Sequence, residues 1–292
     1  MILNRFFMKK QPVEGIALFR ILFGAILILN ALLLIPGFMD YFGPRGMLGG
    51  FQPAEPRLLN LFHLTGNGVV ALQTVFAIHL LSAVSLTAGF FTRTSAVIAF
   101  LTLGSFHDLN FMILNSGDMA LRAILFLLLF SRSGDAFSLD RLLARRAGRA
   151  RSTPRFQAPW AQRMIQLQIS YLYFTTAWCK LDGATWADGT AVYYSSRLWE
   201  FERFRVPYLF DHLWSIRLLT WSSLALEILL GTLIWYRPLR IPLICIGILF
   251  HLGIEWTMNI PVFELLMAVC LIGMLEPKQA LGIIRRFGSM RT

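Results

Sequence analysis

The sequence predicts an all-α protein, a polytopic transmembrane helical bundle of about eight spans with both termini in the cytoplasm. Three observations predict it. The chain is 56% hydrophobic and only 15% charged, with a mean hydropathy of +0.60, whereas a soluble domain carries about 25% charged residues. Apolar runs of about 18 residues or more recur along the whole length, close to what a bilayer core requires. Lys and Arg gather in alternate connections between those runs, as they do in cytoplasmic loops. The short, weak alternation of an outer-membrane barrel is missing. The expected setting is the inner membrane of a bacterial cell, in one domain over 1–292, with the lipid bilayer as first partner.

The first apolar run follows "MILNRFFMKKQPVEG". It is too long for the core of a signal peptide and no small-residue cleavage pattern follows, so it reads as an uncleaved span. Spans are expected at 16–35, 69–90, 95–112, 119–130, 162–179, 214–236, 241–256 and 262–275. The fourth is short and borrows from its flanks.

Five stretches carry most of the basic residues: Arg5, Lys9 and Lys10; Arg93; Arg132, Arg141, Arg145, Arg146, Arg149, Arg151 and Arg155; Arg237 and Arg240; and Lys278, Arg285, Arg286 and Arg291. With eight spans all five fall on one side, the cytoplasm. The net charge of +11 is thereby explained without nucleic acid, and no basic patch interleaved with aromatics suggests RNA. The Arg-rich loop near 131–160 is expected to form an interfacial helix on anionic lipid. The extracytoplasmic loop near 180–213 is aromatic and acidic, and "GTAVYYSSRLWEFERF" could lie in the interface as an amphipathic helix. Three cysteines without a C-x-x-C pair give neither a disulfide framework nor a zinc site. Cys179 beside Lys180 reads as a reactive thiol or as an apolar packing residue.

Polar groups inside apolar spans are costly and therefore informative. Arg20 either snorkels or finds a partner. His79 reads as a neutral packing residue. Arg122 stands one turn past Asp118, a spacing that suits an ion pair. Glu227 needs a partner, and Arg20 is a candidate. His251 and Glu255 share a face with Asn259; two such groups are too few for a closed metal site, and a hydrogen-bonded pair joining helices is the simpler reading. Tyr173, Thr176 and Lys180 form a polar stripe ending in a lysine. That lysine is either a cation at a helix C-terminus or a partly desolvated base, and a base requires little water and no compensating carboxylate in direct contact. Asn110, Asn115, Asp118, Lys180, His251, Glu255 and Asn259 cluster at the outer ends of spans and suggest one outward-facing cavity.

The stretch "IQLQISYLYFTTAWCKLDGATWADGTAVYY" resembles the lysine-bearing helix and loop of vitamin K-dependent γ-carboxylases and their bacterial HTTM-domain relatives. The pattern lies in Lys180, Leu181, Trp186 and Gly189. "ILNSGDMALRAILFLLLFSRSGDAFSLDRL" is similar to the family's N-x-G-D and S-x-D stretches, here Asn115, Gly117, Asp118, Ser138 and Asp140. "ALEILLG" and "LFHLGIEWTMNIPVFELLM" are similar to its closing spans, with Glu227 and His251 in matching places. The resemblance implies that Lys180 is a base activating a quinol, a reduced vitamin K-like quinone, toward a substrate on the extracytoplasmic side. His251 would be a second catalytic residue, with Asn110, Asn115, Asp118, Tyr173, Trp186 and Glu255 around the cofactor and no metal. Two features depart from the carboxylases. No large lumenal region is expected after the last span, and His107 is followed by "DLN" where the family has Asn-His. The implied chemistry therefore centres on quinol activation and leaves the product open, whether by a lyase or an oxidoreductase. Two other classes remain: a non-catalytic membrane protein for maturation, export or immunity of a secreted peptide, and a transporter.

Overall fold

The computed structural model describes residues 2–47, 60–149, 155–204, 206–277 and 279–282. The described residues are 73% helical with almost no sheet, which fixes the all-α class. It divides into two compact units, 1–164 with 276–292, and 165–275.

The first unit begins with α1 (Ile2–Met8) and α2 (Glu14–Leu34), followed by the short α3 (Phe38–Phe42) and α4 (Phe62–Thr65). Then come α5 (Val69–Ala88), α6 (Thr92–Leu109), α7 (Ser116–Leu129) and α8 (Leu139–Arg146). A two-stranded antiparallel ladder pairs β1 (Gln11–Pro12) with β2 (Phe156–Gln157). Helices α2, α5, α6 and α7 pack in sequence order. At one end Phe38, Phe42, Phe62, Leu72, Val75, Phe106 and Leu109 form an aromatic-rich core. Gly24 lets α2 approach α5 closely: a Cβ there would come within 2.3 Å of the Thr87 hydroxyl.

Within this unit Arg20, Asp118, Arg122 and His79 each have a partner, and one expectation is corrected. Arg20 does not snorkel. It is fully buried and donates to the carbonyls of Leu86 at 3.3 Å and Phe137 at 2.6 Å. The Leu86 carbonyl lies at the C-terminal end of α5, where the helix dipole places partial negative charge that favours a guanidinium. Arg122 pairs with Asp108 at 3.3 Å rather than with Asp118. Asp118 is occupied in a capping box with Asn115 and accepts from Asn30 at 3.4 Å. His79 bonds the Thr102 hydroxyl at 2.9 Å and joins α5 to α6, as its packing role predicts.

The second unit holds most of α9 (Trp160–Leu181), then α10 (Ala184–Ala187), α11 (Ala191–Ser195), α12 (Leu213–Thr232), α13 (Arg237–Thr257) and α14 (Phe263–Gly273). The expected amphipathic helix over 189–204 stops at Ser195. Arg197 turns back to the carbonyls of Tyr193 and Phe210. Residues Phe201–Phe204 instead run beside the end of α13, with Glu202 bridged to Met258 and Arg203 N–H donating to Thr257. Backbone pairing with the end of α13 takes the place of the expected helix there.

Each of the eight expected spans coincides with a helix. Four of these, Glu14–Leu34, Val69–Ala88, Leu213–Trp235 and Arg237–Thr257, are long and apolar enough to cross a membrane. Helices α7 and α14 are shorter, at 14 and 11 residues. Helices α6 and α9 have the length but carry more polar residues, among them Gln162, Gln166 and Gln168 in α9. Arg151, Lys278, Arg285, Arg286 and Arg291 lie outside the described residues.

Candidate functional site

Lys180 lies in the last turn of α9. The chain turns immediately afterwards: Gly183 N–H returns to the Lys180 carbonyl, and Trp186 N–H to that of Gly183. This turn folds Trp186 back so that its ring centroid lies 4.7 Å from the Lys180 nitrogen, a cation–π contact. Glycine is required there, because a Cβ on residue 183 would come within 2.9 Å of the indole. Helix α12 fixes the other side. Its Trp221 indole N–H donates to the Trp186 carbonyl at 3.2 Å, and its Glu227 Oε1 accepts from Lys180 Nζ at 2.5 Å. The Lys180 side chain keeps 23% of its surface and Glu227 9%, so the pair is withdrawn from water while the amine still reaches the surface. Lys180 lines an open concavity with Thr175, Thr176, Cys179, Gly183, Thr185 and Trp186. The second carboxylate oxygen of Glu227 is buried with no hydrogen-bond partner among the described residues.

Two turns back along α9, Tyr173 faces inward. Its hydroxyl meets His251 Nε2 of α13 at 2.7 Å, and His251 Nδ1 meets Glu264 Oε2 of α14 at 2.5 Å. All three residues are buried. A neutral His251 that donates from Nδ1 to the Glu264 carboxylate can accept at Nε2 from the Tyr173 hydroxyl, so one tautomer satisfies all three. Glu227 lies within electrostatic range of His251 and Glu264 as well as Lys180. Four helices, α9, α12, α13 and α14, thus place a lysine–carboxylate pair and a tyrosine–histidine–carboxylate chain in one unit.

Compared with known protein families, residues 8–278 match the HTTM domain. The chain belongs to the HTTM-domain family. The domain is found in vitamin K-dependent carboxylase-like proteins. Neither the curated proteins nor the solved structures provide a match.

In this HTTM domain the residues expected at the site divide. Lys180 and Trp186 meet at the concavity, and Tyr173 and His251 meet beneath the surface. The polar stripe on α9 is therefore split: Tyr173 turns inward, while Thr176 stays exposed and donates to the Leu172 carbonyl. Glu255 does not pair with His251. It binds Arg203 at 3.0 Å, and Arg203 also donates to Asn259 at 2.9 Å. His251 is turned toward α9 and α14, and Glu255, one turn further, meets the returning loop. The partner of Glu227 is Lys180 rather than the candidate Arg20, which donates to carbonyls within its own unit. Asn110, Asn115 and Asp118 belong to the first unit and are bonded within it. Asn110 donates to the Tyr41 carbonyl at 2.7 Å and accepts from Met112 N–H, while Asn115 and Asp118 cap α7. Cys179 is exposed and lines the concavity, so it is not a packing residue.

The sequence reading missed Glu264 and Arg203. Glu264 is the one charged residue of α14, in an otherwise apolar run, and that isolation was the available signal. Arg203 gave none, since it sits in a loop among other charges. The HTTM site also overturns one condition attached to Lys180 as a base, namely that no carboxylate should touch it. Glu227 does touch it, so the unit to be explained is the pair.

Proposed function

We propose that this HTTM protein is a multi-pass enzyme of the bacterial inner membrane in which the Lys180–Glu227 pair takes the proton of an acidic O–H on a quinol-type, lipid-soluble cofactor, so that a substrate on the extracytoplasmic side is modified. The observation that carries the reading is the position of the Lys180 amine: one side on a buried carboxylate, the other on an open concavity. The residues present fit such a group. Trp186 and the Cys179 edge offer apolar surface to a flat ring, and Thr175, Thr176 and Thr185 offer hydroxyls. When bound, a quinol would supply an acidic hydroxyl and reducing equivalents. Lys180 can accept a proton only when the proton it shares with Glu227 sits on the carboxyl. Removing both partners from water narrows the difference between the ionic and neutral arrangements. Trp186 covers the amine on one side and limits its hydration. The Lys and Arg bias of the connections supports an extracytoplasmic position for this end of α9, with both termini in the cytoplasm.

A second reading rests on the directness of the ion pair. Lys180 and Glu227 would then simply join α9 to α12 in a non-catalytic protein for maturation, export or immunity of a secreted peptide. Full-length protein in lipid nanodiscs, supplied with a short-chain menaquinol, separates the two through oxygen uptake and quinone product. A base predicts turnover by wild type and none by folded Lys180→Arg or Lys180→Met, since a guanidinium keeps its proton. A structural pair predicts that arginine substitutes fully and methionine only weakens the fold. Absence of turnover in wild type, or full turnover in the arginine variant, sinks the enzymatic reading.

A further inference from the structure

The first unit carries a second feature that the proposed reaction does not use. Helix α8 presents Leu139, Leu142 and Leu143 to the outside, 42, 44 and 50% exposed. Spacings of three and four residues put these leucines on one face with Arg146, and the exposed Arg149 follows just after the helix. A soluble helix would turn such leucines inward. Here the opposite side of α8 is fastened. Ser138 caps its N-terminus, and Asp140 accepts from Phe91 N–H at 2.8 Å, Thr92 N–H at 3.0 Å and the Thr92 hydroxyl at 2.9 Å. Asp140 N–H donates in turn to the Gly89 carbonyl. The helix is therefore pinned to the turn between α5 and α6, at the level where two of the expected spans end.

That turn and the segment leading into α8 each carry a bulky residue in a rarely adopted backbone conformation. Phe91 has φ +43° and Phe137 φ +47°. Such values cost energy in a residue with a large side chain and persist only where surrounding bonds enforce them. The Asp140 bonds hold the first, and Arg20, donating to the Phe137 carbonyl, holds the second. Both phenyl rings are exposed. Strained backbone that turns aromatic rings outward, beside an outward leucine face and arginines, has one physical use at that level: apolar groups enter the acyl boundary while guanidiniums meet phosphates.

We propose that α8 with Phe91 and Phe137 forms a docking foot for the anionic leaflet of the bilayer, with lipid phosphates bound by Arg146 and Arg149. Charge complementarity chooses the occupant, since the foot offers cations around an apolar face and such a lipid offers an anion above acyl chains. Detergent-solubilised full-length protein is titrated with phosphatidylglycerol, with phosphatidylcholine of the same chains, and with inorganic phosphate, following the melting temperature. Phosphatidylglycerol should raise it and the other two should not. Arg146→Gln/Arg149→Gln should raise the half-saturating phosphatidylglycerol concentration about thirtyfold, whereas Arg146→Lys/Arg149→Lys should retain the response. Leu142→Ser/Leu143→Ser, with charge unchanged, should weaken it too. These positions are exposed, so the lipid-free melting temperature serves as the control for folding. Equal stabilisation by phosphatidylcholine, the full effect from phosphate alone, or wild-type responses in both the Gln and Ser variants would overturn the proposal. The last result would leave the face to an acidic protein partner.

Discussion

Lys180 owes its position to three neighbours with different roles: Glu227 compensates its charge, Gly183 permits the turn, and Trp186 covers the amine. Removing Glu227 leaves a partly buried ammonium with no counter-charge. We expect Glu227→Leu to lose roughly 3 kcal/mol, the lower end of what removing one partner of a buried pair costs, because Lys180 can still reach water. Glu227→Gln keeps a hydrogen-bond acceptor and should lose less, and SDS unfolding in mixed micelles ranks the two. Equal stability of the leucine variant and wild type would remove Glu227 from the account. The Tyr173–His251–Glu264 chain makes a separate prediction. Tyr173→Phe should cost about 1 kcal/mol in the wild-type background and close to nothing once His251→Leu has removed the hydroxyl's partner. Additive losses would show that the hydroxyl is bonded elsewhere. Residue identity was legible in the sequence where burial alone makes a group expensive, as for Glu227, His79 and His251. Partner choice was not. The four-residue spacing favoured Asp118 for Arg122, but the Asp118 carboxylate serves its own helix cap and Asn30, which spacing cannot reveal.

Among the elements, helix positions follow from the apolar runs, and their ends follow from local chemistry: Gly89 in the left-handed conformation closes α5, and Asn115 opens α7. These signals are local, so they can be read from sequence. The extended segment over 201–204 could not be, because its backbone partner is the end of α13, more than fifty residues away. Close approach of helices is equally non-local. Gly231 of α12 lies against α9, and a Cβ there would come within 2.9 Å of the Phe174 amide nitrogen. Backbone cannot move aside as a side chain can. Gly231→Ala should therefore destabilise by about 1–3 kcal/mol, despite the better helix propensity of alanine. A neutral or stabilising result in the same unfolding assay would mean that α9 and α12 are not in this contact.

For the whole molecule, the HTTM match runs through both compact units, so the candidate site and the α8 corner lie within one family match. The expected orientation rests on Lys and Arg placement alone. It predicts that residue 149 faces the cytoplasm. With exposed Cys179 and Cys245 replaced by serine, Arg149→Cys should resist a membrane-impermeant maleimide in intact cells and react after permeabilisation. Ready labelling of intact cells would invert the topology and move Lys180 to the other side. The central claim is that a quinol-type cofactor sits beside the Lys180–Glu227 pair, and its most direct test is extraction of the full-length protein after gentle purification, with mass spectrometry of the released lipids. The account predicts a quinone in stoichiometric amount, lost when Trp186 is replaced by alanine. A quinone content no higher than that of an unrelated membrane protein prepared alongside, with no uptake of added menaquinol, would contradict it.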